Sequence, residues 1–266
     1  VCNGFIKAQV SKNQEDRMKS VPRDYSIFDK FDFERKPVGV KFVPLKPEGF
    51  MKLDKRLSFC EMLKEAQKSD PFYVGREDFY CIEPVILGME DPDPGIASGL
   101  VGETDDLFQE ARANRKLYQY LPTMVKGSVK YVIFCGIDQL TFDPDVLIAT
   151  APPEQAQPLM RAITYSNGEM WSSKGTPAAA CSWMYVYPVV SGEVNYTITG
   201  LSLGMQALEI FPPGLMIISI PWTKLPMIID NLQTMTWKLI SQEITKDAHK
   251  ERVDKLFEEL KQKMRE

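Results

Sequence analysis

The sequence predicts an α/β (or α+β) protein: a mixed sheet with flanking helices and a C-terminal helical extension. Three observations carry that expectation. Short runs rich in Val, Ile and aromatic residues recur between proline and glycine punctuation, one such run passes through a short loop into a helix, and apolar residues at helical spacing stripe the C-terminal region. The reading divides the chain into an N-terminal arm (1–36), an α/β core (37–222) and C-terminal helices (223–266).

The arm is polar and charged, with Tyr25, Phe28, Phe31 and Phe33 spaced so as to clip it onto a body. Val38-Gly39-Val40-Lys41-Phe42-Val43 is the first strand, closed by Pro44. Ser58 followed by Glu61 spells a capping box, so a helix starts at Phe59 and runs through Met62, Leu63 and Ala66. Cys60 then lies in the first turn. The unpaired N–H groups there carry roughly half a positive charge, which should stabilise a thiolate and lower the pKa of Cys60. Cys81 stands shortly before Pro84, a residue favoured in a first helical turn, and is expected near a helix start too. Glu90-Asp91-Pro92-Asp93-Pro94-Gly95 ends that element and opens a loop through Gly99 and Gly102. A mostly polar helix is expected over 104–120, closed by Pro122.

Strands follow at 129–135 and 146–150, apolar at nearly every position, as suits strands covered on both faces. The second leads through Ala151-Pro152-Pro153 into a helix over 156–165. Open sheets bind ligands at the carboxyl ends of their strands, so Glu154 and Gln155 are candidate ligand contacts. Thr176-Pro177 reads as a helix start leading through Cys181 to Pro188. Strands at 194–199 and 215–220 precede a helix capped by Thr223, carrying Leu225, Ile228, Ile229, Leu232 and Met235. Val253, Leu256, Phe257, Leu260 and Met264 stripe the last, charged helix. The terminal helices, 223–240 and 242–265, are expected to bury these stripes against the body or in a homo-oligomer.

With 266 residues, 44% of them apolar, the chain buries a core without disulfide staples. A net charge of −4 and a pI near 5.3 argue against a general nucleic-acid binder. No apolar run approaches the eighteen or so residues of a membrane span. Five cysteines at irregular spacing fit a reducing compartment, and the cytoplasm is the expected location. Val1-Cys2-Asn3-Gly4 lacks Met and shows no signal-peptide pattern.

One histidine leaves cysteine as the soft, reactive residue type of this chain. Three cysteines stand in unlike settings: Cys60 in a capped helix, Cys81 after Phe79-Tyr80, and Cys181 after three alanines. Together they would ligate an iron-sulfur cluster or another soft metal; apart, they are small buried hydrophobes, and no Cys-x-x-Cys pair decides between the two. Cys135 lies in an apolar strand and reads as a packed thiol, Cys2 as incidental, and His249 as a solvated surface residue. Met205 is loop-placed and stays a candidate ligand. Glu103, Asp105 and Asp106 read as favourable charge at a helix N-terminus rather than as a cation site. Gly95, Gly99 and Gly102 match neither the Rossmann spacing nor a Walker motif.

Six phrases taken in order resemble the prokaryotic family called domain of unknown function 169, or ArCR. They are Lys36-Pro37-Val38-Gly39-Val40, Cys60-Glu61-Met62-Leu63-Lys64-Glu65-Ala66, Phe79-Tyr80-Cys81, Pro144-Asp145-Val146, Glu154-Gln155-Ala156 and Ala180-Cys181. The resemblance runs from about Pro37 to Pro226. It implies a cytosolic protein of anaerobe-rich lineages and marks Cys60, Cys81 and Cys181 as family-pattern thiols. It supplies no activity. Relatives carry a further cysteine in the stretch matching Ser202 to Gln206, where this chain has none, so the resemblance implies three thiolates and one open or non-cysteine position.

The leading expectation is therefore a cysteine-ligated iron-sulfur protein of anaerobic metabolism, with an open coordination site and a small molecule or redox protein as partner. The alternative is a metal-free ligand-binding or complex-associated module. Haem binding through thiolate or Met ranks third.

Overall fold

The computed structural model describes residues 7–8, 24–99 and 106–265. In chain order the strands are β1 (Lys7–Ala8), β2 (Val38–Val43), β3 (Met51–Lys52), β4 (Phe72–Gly75), β5 (Thr123–Met124), β6 (Tyr131–Gly136), β7 (Val146–Ala151), β8 (Asn195–Ile198) and β9 (Met216–Pro221). The helices are α1 (Phe59–Ala66), α2 (Glu83–Ile86), α3 (Pro94–Ser98), α4 (Ala111–Tyr120), α5 (Pro153–Thr164), α6 (Tyr187–Ser191), α7 (Leu203–Ala207), α8 (Leu225–Thr234), α9 (Ile240–Glu243) and α10 (Lys246–Lys263). Seven strands form one mixed sheet in the order β3-β4-β6-β2-β7-β9-β8. Only β3 and β4 run parallel; every other pairing in it is antiparallel.

The central strands β2, β6 and β7 are buried almost throughout, in keeping with their continuous apolar character. Alternate residues feed two cores. Val40 and Phe42 of β2, Phe134 of β6, Ile148 of β7 and Ile217 of β9 face α1, α2 and the segment before α6. Leu147 and Ala149 of β7, with Ile218 and Ile220 of β9, face α5 and α8 through Leu159, Ile228 and Leu232. Each such Val, Leu, Ile or Phe side chain contributes about 1.5–3 kcal/mol when fully buried.

The second face also receives the described end of the arm. A 3-10 turn over Ser26–Phe31 buries Ile27, Phe28 and Phe31, and Phe31 lies between Phe33 and Trp237 at centroid distances of 4.7 and 4.4 Å. Lys41 is buried on this face and donates to the Asp143 carbonyl at 2.7 Å, while Tyr25 donates to the Asp143 carboxylate at 3.1 Å. Gly39 of β2 lies under this crossing loop, where a Cβ would meet Leu140 Cδ2 at 2.6 Å and Pro144 Cβ at 3.1 Å.

Several expectations change. β7 is antiparallel to both neighbours, so α5 does not bridge parallel strands, and the carboxyl-end argument for a ligand site at Glu154 and Gln155 loses its basis. The helix expected from residue 104 begins at Ala111, and Asp106 precedes it with φ of 51°, outside its first turn. Glu103, Asp105 and Gly102 lie outside the described residues. Thr176 caps no helix: its hydroxyl donates to the Ala178 carbonyl, and helical backbone begins at Ala180. The short strands β3 and β4 were not expected. The stripe of α8 is buried as expected, whereas that of α10 is exposed at Leu256, Phe257, Leu260 and Met264. Among the described residues no helix is long and apolar enough to cross a membrane.

Candidate functional site

Three segments far apart in the chain meet on the first face of the sheet. α1 is held by the capping box its sequence spells: Ser58 Oγ accepts from the Glu61 N–H at 3.3 Å, and the Glu61 carboxylate accepts from the Ser58 N–H at 2.9 Å. Phe59, the first helical residue, packs its ring on Tyr185 at 3.8 Å and on Phe134 at 5.0 Å. This anchors the helix and turns Cys60 into the space beyond.

Glu83 joins the first segment to the second. It is 1% exposed, and its two carboxylate oxygens accept from the Phe59 N–H at 2.9 Å and the Cys81 N–H at 3.1 Å. One buried carboxylate thus fixes the backbone beside two of the cysteines. Its own pKa is raised, by burial first, although these backbone donors oppose the rise.

The third segment carries Cys181 into a π-helical turn over Ser182–Val186 that continues as α6. Pro188 has no N–H to offer in α6, and the widened turn before it accommodates that missing donor. Just ahead, Ala179 has φ of 55°, a left-handed conformation that costs a residue with a Cβ about 1–2 kcal/mol. Ser182 Oγ donates to the Pro122 carbonyl at 2.5 Å and ties this turn to the body. The Leu203 N–H donates to the Pro177 carbonyl at 2.9 Å, which brings α7, and Met205 with it, to the same place.

Cys60, Cys81, Cys181 and Met205 line one cavity of about 360 Å³. Ile82, Ile96, Tyr118, Leu208 and Ile210 supply apolar wall. Cys60, Cys181 and Met205 are buried, and Cys81 is exposed. Tyr185 donates its hydroxyl to Cys60 Sγ at 3.6 Å. All four cysteines among the described residues are free thiols. No three His, Cys, Asp or Glu side chains among the described residues are gathered closely enough to hold a single metal ion.

The expected lowering of the Cys60 pKa is not what the site produces. Burial pushes that thiol up to about 12, with Glu83, Cys81 and Glu61 adding repulsion against the Tyr185 hydrogen bond. The helix N-terminus fails to offset this because a carboxylate already occupies it: Glu83 takes the Phe59 N–H. Cys81 is exposed as a residue, but partial desolvation of its sulfur against the cavity wall, followed by Glu83, pushes it up to about 11. Cys181 is raised well above an ordinary thiol by burial, then by Glu83, Cys81 and Cys60. Burial and the neighbouring Cys60 also raise Tyr185. At neutral pH the cavity therefore presents protonated thiols.

The remaining candidates lie elsewhere. Cys135 is buried on the second face and donates to the Gly136 carbonyl at 3.4 Å, in keeping with a packed thiol. Glu154 is exposed at the start of α5, and Gln155 donates to the Asp32 carbonyl at 3.2 Å; neither borders the cavity. His249 is exposed on α10, and Cys2 lies outside the described residues. Glu83 and Tyr185 escaped the sequence reading. The signal for Glu83 was an acid directly before Pro84, which reads as an ordinary first-turn charge; Tyr185 gave none.

Comparison with known proteins agrees with the resemblance carried by the six phrases. The model of the domain of unknown function 169 family, described as uncharacterised ArCR, matches residues 26–231. The uncharacterized protein MJ0308 of Methanocaldococcus jannaschii is 25% identical over 137 residues, covering 49% of this chain and 58% of that protein. The match thus spans little more than half of that relative's length. No solved structure matches the chain. With the match running from residue 26 to 231 and taking in the cysteine-lined cavity, the chain belongs to the uncharacterised ArCR family, domain of unknown function 169.

Proposed function

We propose that the protein binds an iron-sulfur cluster, or another soft-metal group several atoms wide, through Cys60, Cys81 and Cys181. The observation that carries this reading is the convergence of these thiols, and of no other cysteine among the described residues, on one cavity. A lone tetrahedral ion needs its sulfurs within about 2.3 Å of one point, and the side chains are not gathered that tightly. A cavity of about 360 Å³ between them suits a larger occupant. Binding requires all three thiols to lose protons, so a cationic group must offset the burial and the Glu83 charge that hold them protonated. Met205 is the non-cysteine soft donor on the same wall. Such a group supplies electron transfer when its fourth position is closed, and Lewis-acid or sulfur-transfer chemistry when that position is open. The reading carries with it a reducing, cytoplasmic setting in anaerobic metabolism and a redox protein or small molecule as partner.

The test is anaerobic reconstitution of the reduced chain with ferric iron and sulfide, the excess thiol serving as reductant. The wild type should gain visible absorption and bound iron and sulfide in fixed ratio, Cys135→Ala should do the same, and Cys60→Ser, Cys81→Ser and Cys181→Ser should each lose most of it. A colourless, iron-free wild type, or a triple serine variant that binds as much iron, would overturn the reading. A Soret band on addition of haem instead would favour a haem site in the same cavity.

A metal-free binding module is the second reading, favoured by the apolar wall and the protonated state of the thiols. Self-association through the exposed α10 stripe accompanies either reading. Sedimentation of the full chain against Phe257→Lys would detect it.

A further inference from the structure

A second cavity of about 430 Å³ adjoins the thiol-lined one, and the two have Ile82, Ile96 and Tyr118 in common. Val85 and Ile86 of α2, Leu121, and Met124 of β5 form much of its wall. Each chamber falls in the lower part of the roughly 300–1,000 Å³ range of small-molecule sites, and together they stay within it. Among the described residues Ile82, Ile96 and Tyr118 border both chambers.

The chemistry of the outer chamber limits what it would take. Its charged residues are already paired: Asp91 with Lys126 at 2.6 Å, and Glu90 with Arg76. Among the described residues the buried side-chain polar atoms without a hydrogen-bond partner belong to Gln67, Asn114, Thr150, Gln155 and Ser219. None of these borders either chamber. A site shaped for a polar head group holds such groups in readiness, because a buried donor or acceptor left unmatched costs about 1–3 kcal/mol. Here nothing of that kind waits for a ligand. What remains is apolar surface, whose burial alone favours binding.

We propose that the two chambers form one elongated site for an uncharged hydrocarbon chain, lying along the outer chamber past Ile82, Ile96 and Tyr118 with one end toward the thiols. This goes beyond the metal reading and does not depend on it, since the outer chamber contains no cysteine.

The test uses the full metal-free chain and the uncharged fluorescent probe N-phenyl-1-naphthylamine, displaced by n-alcohols of increasing length. The wild type should bind the probe saturably, and displacement should strengthen with alcohol length. Ala97→Trp and Val85→Phe, which fill the outer chamber, should each weaken probe binding by about tenfold while leaving iron uptake unchanged. Cys181→Ser should remove iron uptake while the outer chamber, which holds no cysteine, still binds the probe saturably. Unfolding midpoints identify any variant that fails to fold; Val85→Phe then stands in for Ala97→Trp, and the reverse. The proposal falls if the wild type shows no saturable binding, if folded chamber-filling variants bind as the wild type does, or if only charged amphiphiles displace the probe. A wild type that binds the probe saturably but takes up no iron would sink the metal reading alone.

Discussion

The two faces of the sheet bury thiols in opposite ways. Cys135 on the second face is enclosed by side chains of the core, with Ile133 and Phe142 in the same cluster. Cys60 and Cys181 on the first face are nearly as inaccessible, yet both border open volume. Burial, the largest cause at each, pushes Cys60 and Cys135 to a similar height, about 12. A raised thiol pKa therefore says that water is excluded and does not separate a packed sulfur from one facing a site. Geometry makes that distinction, through the cavity and through Glu83 and Tyr185 beside it.

Truncation should separate the faces most strongly. Leu159→Ala opens a hole in the close-packed second face and should cost about 4 kcal/mol, whereas Met205→Ala, already bordering open volume, should cost about 2 kcal/mol. Urea unfolding with unchanged m-values measures both; equal costs would mean that the first face is as tightly filled as the second. Alkali should not distinguish them. Below about pH 9 these thiols are protonated folded and unfolded alike, and their contribution to stability is intact. As pH rises from 9 towards 12 the unfolded chain ionises first, so each of Cys60 and Cys135 should withdraw on the order of 1 kcal/mol per pH unit. Cys60→Ala and Cys135→Ala should each flatten that decline in a pH series of unfolding free energies.

Glu83→Ala sharpens the contrast at the site itself. It strands the Phe59 and Cys81 N–H groups but removes a buried charge, for a net loss of about 1–2 kcal/mol. It should also lower the pKa of Cys60, Cys81 and Cys181, and leave Cys135 untouched, because Glu83 acts on the first three only. The pH dependence of alkylation at each cysteine, mapped by mass spectrometry, reads this out. Parallel shifts at all four positions would show that the variant had loosened the fold instead.

Much of the sheet was legible because β2, β6, β7 and β9 are apolar along their length, and a run of that kind has few alternatives. β3 and β4 span two and four residues, too few for any periodicity to register. Pairing direction was illegible for a different reason: a strand covered on both faces carries no alternation that distinguishes parallel from antiparallel neighbours. The capping box at Ser58 was legible because it is local, and the consequence drawn for Cys60 failed because Glu83 reaches that helix from another segment. The α10 stripe was visible as amphipathic, but the pattern alone could not say that nothing among the described residues covers Leu256, Phe257 and Leu260.

The π-helical turn at Ser182–Val186 gives the third thiol a rotational phase. Such a turn holds one residue more than an α-helical turn, and each residue of an α-helix advances the side-chain direction by about 100°. With α6 anchored beyond Pro188, deleting a single residue from the turn would restore regular winding and swing Cys181 by about that angle, off the cavity wall. In an alignment of relatives, a one-residue gap between this cysteine and this proline would thus mark chains whose third thiol points elsewhere.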